Sequence, residues 1–134
     1  MIFVDTNVIM YAVGGPHPLK REARKFFEIA IDDPRLKPCT SAEVLQELLH
    51  AYVPVQRTST LDAALALVES CIPTIWSVEE ADVRAARSLV ARFPALGARD
   101  LIHAAMCARR NVTEIKTFDR ALAAAFGRQM PGRR

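Results

Sequence analysis

Four acidic side chains would be able to act together if the fold brought them to one place. They are Asp5, Glu43, Asp100 and Asp119. The first and last directly follow apolar runs typical of β-strands, the second lies just past another short run, and the third begins a helical segment after a loop. Because ligands bind at the carboxyl ends of parallel strands, which share one edge of a sheet, we expect these distant carboxylates to lie close together.

Clustered carboxylates repel one another and need a cation to stay ionised. An all-oxygen set of donors favours Mg²⁺ or Mn²⁺ over Zn²⁺. Such an ion activates water and offsets the charge that develops on a phosphate under in-line attack. Hydrolysis of a phosphodiester is therefore the reaction that this set of residues predicts, and a basic rim would help to hold the polyanionic substrate.

Each acid also fits a role in helix capping. Asp5 and Asp119 suit the N-cap of the helix that follows each of them. Glu43 suits a capping box that begins at Thr40, and Asp100 is a favourable acid in a first helical turn. A single cap is ordinary, whereas four acids at one predicted sheet edge favour a site, and the two roles are compatible.

Apolar periodicity predicts the elements that position these acids. The predicted strands are 2–4, 36–39, 72–78 and 114–118, and the predicted helices are 8–12, 19–31, 41–52, 60–70, 79–93, 100–110 and 119–126. This alternation indicates an α/β fold with a central, mostly parallel sheet and helices on both faces. Pro38 makes the second strand weak or edge-like, and Trp76 is expected in the core of a central strand rather than as a platform for base stacking.

The bulk composition is that of an ordinary globular protein. A chain of 134 residues fits one domain, 1–134, with a frayed basic tail at 128–134. The net charge of +3 suits a nucleic-acid partner without requiring one. The three scattered cysteines are typical of reduced thiols in a cytoplasmic protein. The apolar runs are too short for a membrane span, and the first residues do not have the pattern of a signal peptide.

Four motifs resemble those of the PIN-domain ribonucleases, specifically the VapC-type toxins of toxin–antitoxin pairs. They are Phe3–Val8 (FVDTNV), Ser41–Glu47 (SAEVLQE), Ala98–Ala105 (ARDLIHAA) and Lys116–Asp119 (KTFD). The resemblance covers nearly the whole chain, and the order of all four motifs in so short a chain makes it specific.

The resemblance implies a PIN-like three-layer sandwich and a catalytic quartet, Asp5, Glu43, Asp100 and Asp119, that binds Mg²⁺ or Mn²⁺. It also implies that Asn7 and Thr117 support these acids through hydrogen bonds. The implied activity is endonucleolytic cleavage of structured RNA, tRNA or ribosomal RNA, which inhibits translation. The implied partners are a cognate antitoxin whose C-terminal segment covers the site and a second copy of the chain in a homodimer, with toxin–antitoxin hetero-oligomers as a further assembly.

Two residues near Asp100 are candidates for contact with substrate. Arg99 adjoins Asp100, and His103 lies three positions after it on nearly the same helix face, so either could touch a phosphate. A buried structural histidine is the alternative for His103. The basic residues of helix 19–31, together with Arg57 and Arg99, either line a path for RNA or form a solvated face.

Two other functions remain open. The same fold could hold RNA or a protein without cleaving it, or it could be an RNA-processing nuclease with a housekeeping role. Cleavage that stops with EDTA and returns with Mn²⁺ would distinguish the nuclease from the binding module. A haloacid-dehalogenase-like phosphatase is disfavoured because Asn7 stands where a second aspartate would be needed, and the chain has no P-loop motif.

Overall fold

The computed structural model describes residues 1–127, and the predicted frayed tail at 128–134 lies outside them. The strands are β1 (Ile2–Val4), β2 (Pro38–Ser41), β3 (Thr74–Trp76) and β4 (Glu114–Lys116). The helices are α1 (Thr6–Val13), α2 (Lys20–Asp32), α3 (Ala42–Tyr52), α4 (Thr58–Cys71), α5 (Glu80–Leu89), α6 (Ala98–Arg109) and α7 (Arg120–Gly127). Among these helices, none has both the length and the apolar character needed to cross a membrane.

The four strands form one parallel sheet in the order β3-β2-β1-β4. The connections from β1 to β2 and from β2 to β3 run in one direction across the sheet, whereas the connection from β3 to β4 runs back. Because crossovers between parallel strands are right-handed, α1–α4 cover one face and α5–α6 cover the other. The predicted α/β fold, with a parallel sheet between two helical layers, is confirmed.

The core is built on β1, which lies inside the sheet. Phe3 and Val4 are fully buried there, and Leu48 from α3, Met106 from α6 and Leu122 from α7 are equally buried. Burial of each such side chain stabilises the fold by roughly 1.5–3 kcal/mol relative to exposure. The acid that follows β1 is therefore attached to the most rigid part of the molecule.

Two expectations about the strands are wrong. Pro38 does not mark an edge, because β2 pairs with both β1 and β3. Proline is tolerated as the first residue of the strand, where the missing N–H costs little. Trp76 is not in a central strand, since β3 lies at the edge of the sheet. Its half-buried ring is covered by the guanidinium of Arg110, 4.9 Å from the ring centroid.

The first helix begins earlier than predicted, at Thr6 rather than at residue 8. Asp5 is its N-cap, and its side chain accepts a hydrogen bond from the Thr6 N–H. The helix ends at Gly14, whose N–H donates to the Met10 carbonyl at 2.9 Å. A Cβ on Gly14 would lie 2.9 Å from that same carbonyl oxygen, so the tight end of α1 requires glycine.

Candidate active site

A cavity of about 280 Å³ lies beside the carboxyl ends of β1 and β4. Its acidic lining comes from four separate parts of the chain: Asp5, Glu47, Asp100 and Asp119. Arg99 is also part of the lining. The structure therefore brings together three of the four acids that the sequence singled out, and it adds one that the sequence did not.

Asp5 is held from two sides. Its Oδ1 accepts the Thr6 N–H at 2.8 Å, and its Oδ2 accepts the Thr117 hydroxyl at 2.6 Å. Burial raises the pKa of Asp5, and these two hydrogen bonds and the nearby His103 oppose that rise only in part. The carboxylate is thus fixed in position, yet its charge is not fully compensated by the protein.

Thr117 connects the loop after β4 to the start of α1. Besides donating to Asp5, its Oγ1 accepts the Asp119 N–H at 3.0 Å and lies 3.4 Å from Asn7 Nδ2, a donor. Asn7 Oδ1 in turn accepts the Phe118 N–H at 3.2 Å. Thr117 therefore contacts Asp5 directly, whereas Asn7 supports the site through Thr117 and the Phe118 backbone.

Asp119 has both of the roles that its position suggested. Its Oδ1 accepts the Leu122 N–H at 3.0 Å, as an N-cap does. The same side chain lines the cavity. Capping therefore fixes one carboxylate oxygen and orients the group towards the site.

Asp100 experiences the field of the other acids most strongly. Burial, followed by the charges of Asp5 and Asp119, raises its pKa to about 6. Like charges this close disfavour full ionisation of the set. A divalent cation in the cavity would relieve the repulsion, and oxygen donors suit Mg²⁺ or Mn²⁺.

Whether the cavity suits such an ion depends on how many protein side chains must bind the ion directly. Within residues 1–127, no three Asp, Glu, His or Cys side chains already form a complete metal-binding group. Mg²⁺ commonly takes only one or two protein carboxylates directly and fills the rest of its octahedron with water. An open cavity with partly separated acids fits this type of site, and does not fit an all-protein cage.

Glu43 is not among the residues that line the cavity. Its Oε1 lies 3.9 Å from Arg99 Nε. The capping box proposed for it is also wrong, because Ser41 is the N-cap and its Oγ accepts the Val44 N–H. The Thr40 hydroxyl instead donates to the Val4 carbonyl at 2.9 Å.

Glu47 lies one turn further along α3 than Glu43. It lines the cavity, and its Oε1 lies 2.7 Å from His103 Nε2. The signal in the sequence was the second acid of the motif SAEVLQE, four positions after the first. Both acids share a face of α3, so the sequence pattern alone does not distinguish them.

His103 is fully buried, which favours the structural alternative over contact with a substrate phosphate. Its Nε2 lies between Glu47 and Asp5, at 2.7 Å and 3.8 Å from their oxygens, and its ring packs on Phe3. Burial lowers the pKa of His103, but the hydrogen bond to Glu47 and the charges of Asp5 and Glu47 outweigh it, so the net shift is upward. The histidine therefore acts as a buried link between two acids of the site.

Arg99 is the cationic member of the cavity lining. Its side chain is 46% exposed, and its Nε faces Glu43. It is thus accessible to an anion that enters the cavity.

Comparison with known proteins agrees with this geometry. The PIN-domain family model matches residues 2–126. Ribonuclease VapC23 of Mycobacterium tuberculosis is 61% identical over 126 residues, which cover 94% of this chain and 98% of that protein. Ribonuclease VapC13 of the same organism is 37% identical over 120 residues, which cover 90% of this chain and 91% of that protein.

The fold has a solved counterpart. The crystal structure of Mycobacterium tuberculosis VapC20, a toxin that cleaves the sarcin–ricin loop, superposes with a TM-score of 0.71. The two share 19% sequence identity, and the match covers 93% of this chain and 95% of the other. At that identity the likeness shows a common fold, with the layers and strand order described above.

Proposed function

We propose that this chain, which belongs to the PIN-domain family and within it to the VapC-type ribonucleases, cleaves RNA endonucleolytically at the cavity lined by Asp5, Glu47, Asp100 and Asp119. The single observation that supports this most strongly is the convergence of these four acids, from four separate parts of the chain, on one cavity. We further propose that the whole chain, 1–134, is one PIN domain.

PIN-domain ribonucleases depend on divalent metal ions, and we propose Mg²⁺, with Mn²⁺ as a substitute, for this site. The four carboxylates of the lining are oxygen donors and support that choice over Zn²⁺. When bound, such an ion stabilises the negative charge that develops on the phosphate under attack. Asp5 and Asp100 are the acids best placed to hold it, since both line the cavity and the charge of Asp5 raises the pKa of Asp100.

The remaining residues of the site position the acids and the substrate. Thr117 fixes Asp5 through a 2.6 Å hydrogen bond, and His103 fixes Glu47 through a 2.7 Å contact. The half-exposed Arg99 would bind a phosphate of the RNA beside the acids. In this arrangement each carboxylate is held before substrate arrives, which is the preorganisation that phosphate chemistry requires.

The biological role that we propose is that of a toxin. VapC toxins act on RNA and pair with VapB antitoxins, and the structural neighbour cleaves the sarcin–ricin loop. We therefore propose structured RNA, either tRNA or ribosomal RNA, as the substrate, with inhibition of translation in the cytoplasm as the result. A cognate antitoxin whose C-terminal segment covers the cavity and a homodimeric toxin complete the proposal.

The direct test is cleavage of total RNA by the purified protein. We expect cleavage in Mg²⁺ that stops with EDTA and returns with excess Mn²⁺. Persistent cleavage in EDTA would contradict the metal-dependent mechanism, and binding of RNA without cleavage in any divalent ion would favour the binding module. Induction in growing cells then separates a toxin, which arrests growth, from a housekeeping nuclease, which does not.

A further inference from the structure

A second concave surface, with a volume of about 670 Å³, lies at the start of α2 and is lined by cations. Its charged lining consists of Lys20, Arg21, Arg24, Lys25 and one acid, Glu28, with His17 from the preceding loop. We call these four lysines and arginines, together with His17, the basic groove. Arg21, Arg24 and Lys25 are exposed to solvent.

The basic groove is unfavourable for the stability of α2. Lys20 with Arg24, and Arg21 with Lys25, are like charges four residues apart, a spacing that destabilises a helix. Lys20 and Arg21 also occupy the first turn, where the helix dipole favours anions. Glu22 in the first turn and Glu28, four residues after Arg24, offset part of this effect, and the excess of cations that remains suits an anion.

A row of rings joins the basic groove to the acidic cavity. The ring of His17 stacks on Tyr11, with centroids 4.3 Å apart, and Tyr11 packs edge-on against Phe118 at 5.6 Å. Phe118 immediately precedes Asp119, and the Lys116 ammonium lies 5.2 Å from its ring centroid. Tyr11 and Phe118 are half-buried, so each keeps part of its ring accessible.

We propose that the basic groove and the rings of Tyr11 and Phe118 hold the RNA strand on one side of the bond that is cut. The cations would contact successive phosphates, and the rings would stack against unpaired bases. A charged groove with interleaved aromatic rings is the pattern by which proteins bind single-stranded nucleic acid. This inference rests on the proposed ribonuclease function. It specifies which surface outside the cavity binds the RNA.

Electrostatics supports a binding surface outside the cavity. The cavity lining carries four acids against one arginine, so without a metal ion it repels a polyanion. The net charge of the whole chain is only +3. Affinity for RNA must therefore come from a local concentration of cations. An acidic peptide would also be attracted to the groove, but the rings lead from the groove to the catalytic acids, which favours RNA.

The test measures RNA binding separately from cleavage. A fluorescein-labelled, twelve-nucleotide oligouridine is titrated with the protein in EDTA at several salt concentrations, and binding is followed by anisotropy. The test variant is Arg21→Ala/Arg24→Ala/Lys25→Ala. The matched control is Arg84→Ala/Arg87→Ala/Arg92→Ala, which removes the same charge from exposed residues in and just after α5, in the layer on the other face of the sheet.

We expect the groove variant to lose at least ten-fold in affinity and the control to stay within about two-fold of the unmodified protein. The slope of log K against log salt should fall by about two for three lost phosphate contacts on a single strand. The groove variant should unfold at nearly the same temperature, because the three replaced side chains are exposed. Tyr11→Leu should weaken binding without changing the salt slope.

Three results would overturn the inference: no RNA binding by the unmodified protein, equal losses in both triple variants, or a groove variant that binds RNA normally but no longer binds polyglutamate. The last result would assign the groove to an acidic protein partner. Cleavage in Mg²⁺ is scored separately. Loss of binding in the groove variant together with no cleavage by the unmodified protein would support the groove and contradict the proposed nuclease.

Discussion

Asp82, which is fully buried, and Asp100, which is half-buried, both lie in the first turn of a helix, yet their pKa values shift in opposite directions. Asp82 is fully buried, with Arg109 Nη1 at 2.5 Å and Arg110 Nη1 at 2.9 Å from its Oδ1. Burial raises the pKa of Asp82, but hydrogen bonds from Arg110, the Glu79 N–H and Arg109 lower it to about 2. For Asp100, burial and two neighbouring acids raise the pKa to about 6.

The difference identifies which acid cluster is structural and which is a site. The Asp82 cluster is neutralised by cations of the same chain, and it joins α5 to the end of α6. Its acids form a capping box, with the Glu79 N–H donating to Asp82 at 2.9 Å. The acids around Asp100 lack that compensation and border an open cavity. Charge left uncompensated beside open space is the feature expected where a ligand supplies the missing cation.

The largest effect is expected for Asp5→Asn. Loss of this carboxylate removes a charge from the site, so RNA cleavage should fall by about 1,000-fold. Asn has one acceptor oxygen where Asp5 uses two, for the Thr6 N–H and the Thr117 hydroxyl, but it also removes a buried charge whose pKa burial raises, so the unfolding temperature in EDTA should change little. Cleavage time courses and thermal unfolding measure the two quantities. Cleavage at the unmodified rate would remove Asp5 from the site.

The next largest effect on cleavage is expected to differ between the two glutamates of α3, Glu43 and Glu47. Glu47→Gln should reduce cleavage about 10- to 100-fold, because it disturbs an acid of the cavity and its link to His103. Glu43→Gln, the matched control on the same helix face, should change cleavage less than about three-fold. Both are measured by initial rates in Mg²⁺. The reverse ranking would restore Glu43 to the quartet.

A smaller effect, on stability alone, is expected at the structural cluster. Asp82→Asn leaves two arginines without their buried partner, which should lower the free energy of unfolding by about 2 kcal/mol, less than for a fully buried pair because Arg109 and Arg110 reach solvent. Urea unfolding measures this at neutral pH. Cleavage per folded molecule should be unchanged, and a loss comparable to that of Asp5→Asn would mean that the two clusters are not distinct.

Asp82 should also make the free energy of unfolding depend on pH. Asp82 has a pKa lowered from 3.8 to about 2, so its contribution is fully present above pH 4 and is lost as the pH falls towards 2. The stability difference between the unmodified protein and Asp82→Asn should therefore shrink over that range. Urea midpoints at pH 7, 4 and 3 test this, and a constant difference would contradict the lowered pKa.

The sheet and most of the site are predictable from the sequence because they depend on local patterns. Ile2–Val4 is a short apolar run, and residues 114–118 mix polar and apolar side chains. The structure places β1 and β4 there, with β4 ending at Lys116. An acid directly after such a run lies at the carboxyl edge of the sheet. Asp5 and Asp119 follow from that rule alone.

The choice between Glu43 and Glu47 could not be made in the same way. The two are separated by four positions, so they lie on one face of α3 and differ only in their turn. Which turn approaches Asp5 depends on how α3 packs against α1 and α4, a long-range property. The edge position of β3 could not be predicted from the sequence either, because strand order is set by the direction of each crossover and not by the composition of the strand.

Binding of Mn²⁺, followed by calorimetry in the absence of RNA, tests most directly whether the converging acids form a cation site. We predict saturable binding to the unmodified protein, a higher unfolding temperature in its presence, and loss of both effects in Asp100→Asn but not in Asp82→Asn. Equal Mn²⁺ binding by the unmodified protein and Asp100→Asn, or no binding by either, would contradict the assignment of the cavity as a metal centre.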